Sequence, residues 1–542
     1  MPALGGSVLC WLAFPPLGWS YLAWVSPVPW LVLILQKKLP GRRPYRALWL
    51  GGFVFWLLAV HWIRLPHPLN YLAWLAMAAY LGLYLPTFVA LARVGVVRWR
   101  LPLALVAPIV WTGLEWFRGR LLTGFLMGSL AHTQAYHPLV IQIADLTGEY
   151  GVTFLIILVA ASITNVLSIA SEPCRPRPRR IIAKLLPAVI ALAATLYYSD
   201  SRMAEIEQLR PRPGPRIALI QGNTLADWKN DPERQKQIMD EYVRLSREAV
   251  RSDLDIDLVI WPETAFRETL ITVQEGYTPP PDRVPPANLT AAQDYLKLLT
   301  KELGTAVLVG IDRVHVFPDA AGQLDHREYN SSVLVDSQGR IVGTYDKMHR
   351  VPFGEFIPFA DWFPVLYKLT PITGGIDAGA YPAGLWLDDV MFSPSICYET
   401  AVPHLISTQA NSFDSDYYPV VLVNLTNDAW FWGSSELDMH LACGVFRAVE
   451  NRIPLVIAAN GGLSAYINNL GQVVQVTPRQ QTATLVIDIE QSYVASFYCD
   501  WFALVCVLCC MVLAVGGWRG RHIRNAVAVA VAGAVAGDGT AR

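Results

Sequence analysis

Three short runs hold, in chain order, the side chains able to do covalent chemistry: Ile260-Trp261-Pro262-Glu263, Tyr345-Asp346-Lys347 and Ser395-Ile396-Cys397-Tyr398-Glu399. A carboxylate, a cation and a thiol are the parts of covalent acyl transfer. A free thiol titrates near 8.5, so it needs a base or a nearby positive charge to act as a nucleophile at neutral pH. Glu263 is the candidate base, and Lys347 the candidate stabiliser of the thiolate and of the oxyanion formed when Cys397 attacks a carbonyl. Singly, each has a plainer reading: a core thiol, a strand-end carboxylate and a turn lysine. His349 and His440 stay outside the trio, because neither has an acid partner legible in the sequence.

The elements that must position these residues are short apolar runs rich in Val and Ile that alternate with amphipathic stretches. Strands are expected at 217–221, 258–261, 306–311, 332–335, 392–396, 420–425, 455–459, 464–467 and 483–487, with helices at 232–251 and 291–303. Such alternation implies an α/β domain with buried sheets. Glu263 and Cys397 each follow an expected strand, and in α/β sheets sites collect at the carboxyl ends of strands.

That domain is bracketed by hydrophobic spans. The chain has 542 residues, 53% of them hydrophobic and 16% charged, and a mean hydropathy of +0.33, too apolar for an ordinary soluble protein. A net charge of -1 gives no reason to expect a nucleic-acid partner. No charged residue occurs from 3 to 36, a stretch longer than the ~20 residues one helix needs to cross a bilayer, and Pro15-Pro16 divides it in two. Further apolar runs cover 48–63, 69–92, 101–117, 152–169, 181–198 and 501–518, giving eight candidate spans.

Basic clusters orient them, because cytoplasmic loops retain Lys and Arg. Such clusters follow the second span (Lys37 to Arg46), the fourth (Arg93 to Arg100), the sixth (Arg175 to Lys184) and the eighth (Arg519 to Arg524). Both termini are therefore expected in the cytoplasm and the soluble segment outside it. A cleavable signal peptide is disfavoured, since no Lys or Arg precedes residue 37. The expected organisation is seven spans in 1–199, a linker at 200–214, a catalytic domain at 215–492, a last span at 493–518 and a cytoplasmic tail at 519–542. Of eight cysteines only Cys397, Cys443 and Cys499 fall outside the spans and the cytoplasm, without the spacing of a disulfide framework or a metal site.

The runs around Glu263, Lys347 and Cys397, with Val351-Pro352-Phe353-Gly354-Glu355 after the lysine, resemble the Glu, Lys, Cys signatures of the nitrilase superfamily. With the added spans the chain resembles the apolipoprotein N-acyltransferase family, as do Glu115-Trp116-Phe117-Arg118-Gly119 and Asn427-Asp428-Ala429-Trp430-Phe431. The resemblance implies an αββα sandwich inserted in a bundle of about eight transmembrane helices. It implies a Cys397 thioester that carries an acyl chain from a phosphatidylethanolamine-like phospholipid to the amino-terminal amine of a diacylglyceryl-cysteine lipoprotein. It also implies supporting roles for Glu355, Tyr398, Glu399, Trp228 and Trp430, no cofactor or metal, membrane lipids as neighbours, a monomer, and a bacterial inner membrane with catalysis on the periplasmic side. Two departures stand out: Trp432 intervenes between Phe431 and Gly433, and Arg350 stands where an apolar residue is usual.

Two rival readings compete. A membrane-anchored nitrilase-type amidase would use the same trio but needs only one span. A transporter or scaffold would place ionisable residues inside spans; Arg93, Glu115 and Arg118 fall near span ends, so no buried charge path is expected.

Overall fold

The computed structural model describes residues 2–517 apart from 172–176, 210–211, 227–230, 254, 359, 361, 370–373, 414–419, 492–493 and 499–500. Trp228, Cys174, Cys499 and the tail 519–542 lie outside the described residues.

The amino-terminal part is helical: α1 (Pro2–Leu12), α2 (Val28–Leu35), α3 (Pro44–Ala59), α4 (Asn70–Leu81), α5 (Tyr84–Arg93), α6 (Leu103–Arg118), α7 (Pro138–Ile141), α8 (Ala144–Thr147), α9 (Glu149–Ala170) and α10 (Pro178–Gln208). Among the described residues, three stretches are long and apolar enough to cross a membrane: Asn70–Arg98, Glu149–Ala170 and Pro178–Gln208. Each remaining expected span overlaps a shorter helix, including a carboxyl-terminal one at Trp501–Gly517. The apolar stretch of α10 is only 11% buried, with Ile182, Val189 and Ile190 more than half exposed. A face so apolar and so open fits hydrocarbon rather than water. The linker expected over 200–214 is instead helical as far as Gln208, because 199–208 keeps good helix formers and meets no proline until 211.

The soluble part holds strands β1 (Arg212–Gln221), β2 (Leu258–Ile260), β3 (Phe266–Val273), β4 (Ala306–Pro318), β5 (Leu324–Val335), β6 (Ile341–Asp346), β7 (Leu385–Leu387), β8 (Val390–Ile396), β9 (Val421–Thr426), β10 (Leu455–Ala459), β11 (Ala465–Ile467), β12 (Val473–Val476) and β13 (Ala483–Gln491). One sheet runs β13-β1-β2-β4-β5-β6 with β3 also on β4; the other runs β12-β11-β10-β9-β8-β7. Their facing sides bury Leu219, Ile260 and Leu308 against Phe392, Val423 and Val456. Helices α11 (Pro232–Ser252) and α12 (Pro286–Leu303) cover the outer face of the first sheet. Helices α13 (Pro403–Asn411) and α14 (Glu436–Asn451) cover the second, completing four αββα layers. Strands β3, β6, β7 and β12 escape the sequence pattern because they are short or edge strands with weak alternation.

The membrane helices and the second sheet share one apolar cluster, in which α14 is buried on nearly every side. Charges cross this seam: Arg447 pairs with Glu149 at 2.7 Å, and Arg452 with Asp145 at 2.7 Å. Glu115 and Arg118, also buried, pair at 3.7 Å. Buried charges are therefore present, but as separate ion pairs rather than as a continuous path. Ion pairs buried this way specify how two parts dock more than they stabilise them.

Candidate active site

Each member of the trio sits where a strand stops. Leu258, Val259 and Ile260 are fully buried in β2, the Trp261 amide still bonds Leu308 O at 2.9 Å, and then Pro262 removes a donor and ends the ladder. Glu263 therefore emerges at the carboxyl edge of the first sheet. Below it Gly310 leaves room, since a Cβ there would lie 2.4 Å from Pro262 O and 2.6 Å from Glu263 Cα. Lys347 follows β6 and is held by its own backbone, its amide donating to Asn330 O and its carbonyl accepting from Gly379 N, both at 2.8 Å. Gly379 is required there, because a Cβ would meet Asp346 O at 2.2 Å.

Cys397 follows β8 with φ at 52°, in the left-handed region that a side chain disfavours by about 1–2 kcal/mol. The sharp strand-to-helix turn lifts the thiol off the sheet, the device used for exposed nucleophiles. Three contacts hold the turn. Asn424 Nδ2 donates to Cys397 O at 3.1 Å, His440 Nε2 donates to the same oxygen at 3.2 Å, and Ile396 N donates to Glu399 Oε2 at 2.7 Å.

The charges converge tightly. Lys347 Nζ donates to Glu355 Oε1 at 2.6 Å and to Glu263 Oε1 at 3.2 Å, with Lys347 almost wholly buried. Asn330 Nδ2 bridges the two carboxylates at 2.8 and 3.3 Å, Asn427 N donates to Glu263 Oε2 at 2.9 Å, and Val351 N to Glu355 Oε2 at 2.8 Å. Burial alone would depress the lysine, but the Glu355 and Glu263 carboxylates and Cys397 outweigh it, so Lys347 stays an ammonium far above neutral pH. Burial, then the Glu263 carboxylate, push the Cys397 thiol well up, against the pull of Lys347 and the Thr426 hydroxyl. At rest the sulfur therefore holds its proton, and attack requires a base to remove it as the new bond forms. Glu263 acts electrostatically on that thiol and is ion-paired with Lys347, so one carboxylate influences both partners.

The supporting residues divide. Glu399, fully buried, accepts from Ile396 N, Tyr345 Oη, Met348 N and His349 N at 2.7 to 2.9 Å, clamping the Cys397 turn to the segment after Lys347. Burial pushes its carboxyl up to about 7 against those donors. Tyr398 leans the other way, its hydroxyl donating to Gly124 O at 3.3 Å and its ring stacked on Phe125, so it joins the nucleophile turn to the helical part. Trp430 is half-buried in the turn Asp428–Phe431. The extra Trp432 takes φ 50° and Gly433 φ 69°, two left-handed residues in succession that turn the chain and leave the indole 61% exposed.

His440 has an acid partner after all. Its Nδ1 lies 3.4 Å from Asp428 Oδ1. Burial would lower it, but Asp428 and Glu436 raise it to about 9. Asp428, Glu436 and His440 bring ligand-type atoms within 4.8 Å of one another, a spacing suited to a cation, and the His440 proton already supplies a positive charge there. Sequence reading set His440 aside and missed Asn424 and Asn330; the one available signal for those two was an Asn inside a strand, a residue type strands disfavour.

Known proteins resemble this chain along most of its length. Residues 6–162 match the family model described as apolipoprotein N-acyltransferase N-terminal domain, and residues 216–498 match that described as carbon-nitrogen hydrolase. An apolipoprotein N-acyltransferase of Rhodopirellula baltica is 31% identical over 91% of this chain and 92% of its own. Another, from Geobacter metallireducens, is 34% identical over 97% and 96%. Among solved structures, Saccharomyces cerevisiae Nit3, a nitrilase-superfamily member, covers 52% of this chain and 91% of its own at 13% identity and a TM-score of 0.37.

Proposed function

This chain belongs to the apolipoprotein N-acyltransferase family, and from that premise we propose that Cys397, Glu263 and Lys347 carry its reaction, with Glu355 and Glu399 positioning them. The enzyme N-acylates lipoproteins, with phospholipid and lipoprotein substrates. The observation that supports the residue assignment is the contact of one lysine, buried between Glu263 and Glu355, with the field of a half-buried thiol on a strained turn.

As Cys397 Sγ bonds to the ester carbonyl carbon of the donor, Glu263 takes the thiol proton. The oxyanion forms beside the Lys347 ammonium, which offsets charge that the ground state lacks. The carbon–oxygen bond then breaks, and Glu263 returns its proton to the leaving lysophospholipid alkoxide. In the second half-reaction the lipoprotein's α-amine attacks the thioester, Glu263 takes its proton, and the sulfur leaves and regains one. An α-amine titrates near 8, so a usable neutral fraction exists at pH 7.

We further assign a phosphatidylethanolamine-like donor, a monomer, and a multi-pass inner-membrane location with eight crossings. The catalytic domain then faces the periplasm and both termini the cytoplasm; the basic clusters after alternate spans support that orientation. The catalytic unit is taken to open at β1 and the last crossing to be the helix Trp501–Gly517. Incubating the purified protein with labelled phospholipid and a diacylated peptide tests the assignment. An acyl adduct on Cys397 that passes to the peptide is expected; labelled peptide formed by Cys397→Ala would refute the thioester.

A further inference from the structure

The wall that carries Glu263 does not end at the catalytic trio. Along β4, Leu308, Gly310 and Asp312 share one face of the sheet, since side chains two apart point the same way. Leu308 packs in the core between the sheets, Gly310 lies beneath Glu263, and Asp312 comes next, about 7 Å further along the strand. Directly opposite it on β5 stands Asn330, whose Nδ2 bridges Glu263 and Glu355. Opposed residues of antiparallel strands stand about 5 Å apart at Cβ, so Asp312 adjoins the amide that touches both carboxylates.

Two acceptors here are unserved. Asp312 is exposed and forms no hydrogen bond or ion pair with the described residues. Asn330 is only 6% exposed, yet its Oδ1, across the amide from the nitrogen that serves the carboxylates, has no hydrogen-bond partner among the described residues. A carboxylate beside a buried carbonyl oxygen offers acceptors only, which suits an ammonium and its three N–H donors. The charged groups acting on Asp312 are Arg267 on β3 and the Glu263, Glu328 and Glu355 carboxylates. The protein packed around Asp312 pushes its carboxyl up, Arg267 pulls it down, and those carboxylates push again, leaving it at about 6. At neutral pH it is an anion in a recess, open to solvent yet ringed by protein.

Resting on the reading of Cys397 as carrier of the acyl chain, we infer that Asp312, with Asn330 Oδ1, binds the ammonium form of the acceptor's α-amine and delivers it to the thioester. That form predominates at neutral pH for an amine titrating near 8. It gives one proton to water in the open recess. The neutral amine then bonds to the thioester carbon while Glu263 takes a second proton, and the carbon–sulfur bond breaks as the sulfur regains it. A phosphatidylethanolamine head group also carries an ammonium, but a phosphate and a glycerol separate it from the ester under attack. The acceptor's nitrogen must itself come to the thioester carbon beside Glu263, so a site continuous with Glu263 lies on its path. Asp312 is a binding residue here, not a catalytic one.

The test uses the full chain in vesicles, loaded at Cys397 and then offered one of two acceptors: a diacylated peptide, or hydroxylamine, which is uncharged at neutral pH. For Asp312→Asn the ratio of kcat/KM for peptide to that for hydroxylamine should fall about tenfold, mainly through the peptide's KM, as expected for a lost charge-assisted bond. Asp312→Glu should restore most of it. Asp325→Asn, an exposed carboxylate near the turn of the same β4–β5 hairpin, is the control and should leave the ratio unchanged. The peptide's KM should also rise as pH falls through about 6, where Asp312 takes a proton, and that rise should disappear in Asp312→Asn. An unchanged ratio, or equal losses with both acceptors, would overturn the inference. So would an effect confined to loading, with phosphatidylethanolamine losing its advantage over phosphatidylglycerol, which would mark a head-group site instead. If the unmutated protein forms no acyl adduct, the reading of Cys397 itself fails, a result distinct from any of these.

Discussion

Glu355 offers the sharpest test of how the site is held together. Its Oε1 receives Lys347 Nζ at 2.6 Å and its Oε2 receives Val351 N at 2.8 Å. A glutamine has one acceptor oxygen, so Glu355→Gln always leaves one donor facing an amide N–H. An unserved buried donor, or loss of a charged acceptor, costs about 1.5–3 kcal/mol. If that cost falls on the loading transition state, it converts to a loss of about 10- to 150-fold in kcat/KM. Glu355→Ala strips half the charge that holds Lys347, and breaking a buried ion pair costs about 3–5 kcal/mol, hence about 150- to 4,000-fold. Lys347 would then rest on Glu263 alone, occupying the carboxylate needed to deprotonate Cys397. Single-turnover loading from labelled phospholipid, read as acyl adduct on Cys397, measures each step without the amine. An alanine variant within threefold of the unmutated rate, or one no worse than the glutamine, would refute the claim that the pairing of Glu355 with Lys347 supports chemistry.

The pH profile of loading should be bell-shaped. Glu399, raised to about 7, becomes the full acceptor of its four donors only as pH climbs through that value, and His440, raised to about 9, loses its proton above it. Deprotonated His440 has one N–H to share between Asp428 and Cys397 O, so the basic limb should vanish in His440→Gln and the acidic limb in Glu399→Gln. Gly310→Ala should cut loading about 100-fold with little change in fold content by circular dichroism, because a Cβ there displaces Glu263 and misplacement near 1 Å costs about that much. Trp432→Gly should raise the melting temperature slightly, since glycine relieves the positive φ at an exposed position.

Much of this protein is legible in its linear text. Glu263 and Cys397 fall just beyond Val/Ile-rich runs, so their placement at strand ends follows from side-chain periodicity alone. The apolar runs locate the helices of the membrane part, because exposure to hydrocarbon writes itself into composition. Edge strands such as β6 and β12 were not legible, since one face meets water and the alternation fades. Trp228 lies outside the described residues and keeps only the role that the family resemblance implies.

What the sequence could not decide is which distant groups meet. Asn330, Asp428 and His440 are ordinary polar residues until the two sheets stack, bringing β5, the turn after β9 and α14 around one thiol. The same holds for Gly310, whose missing Cβ matters only because Glu263 crosses above it. Chain order sets the types of the reactive groups, since an acid, a cation and a thiol are local facts. Their protonation states and mutual restraint are not local, because burial and the sum of nearby charges arise only when the layers close.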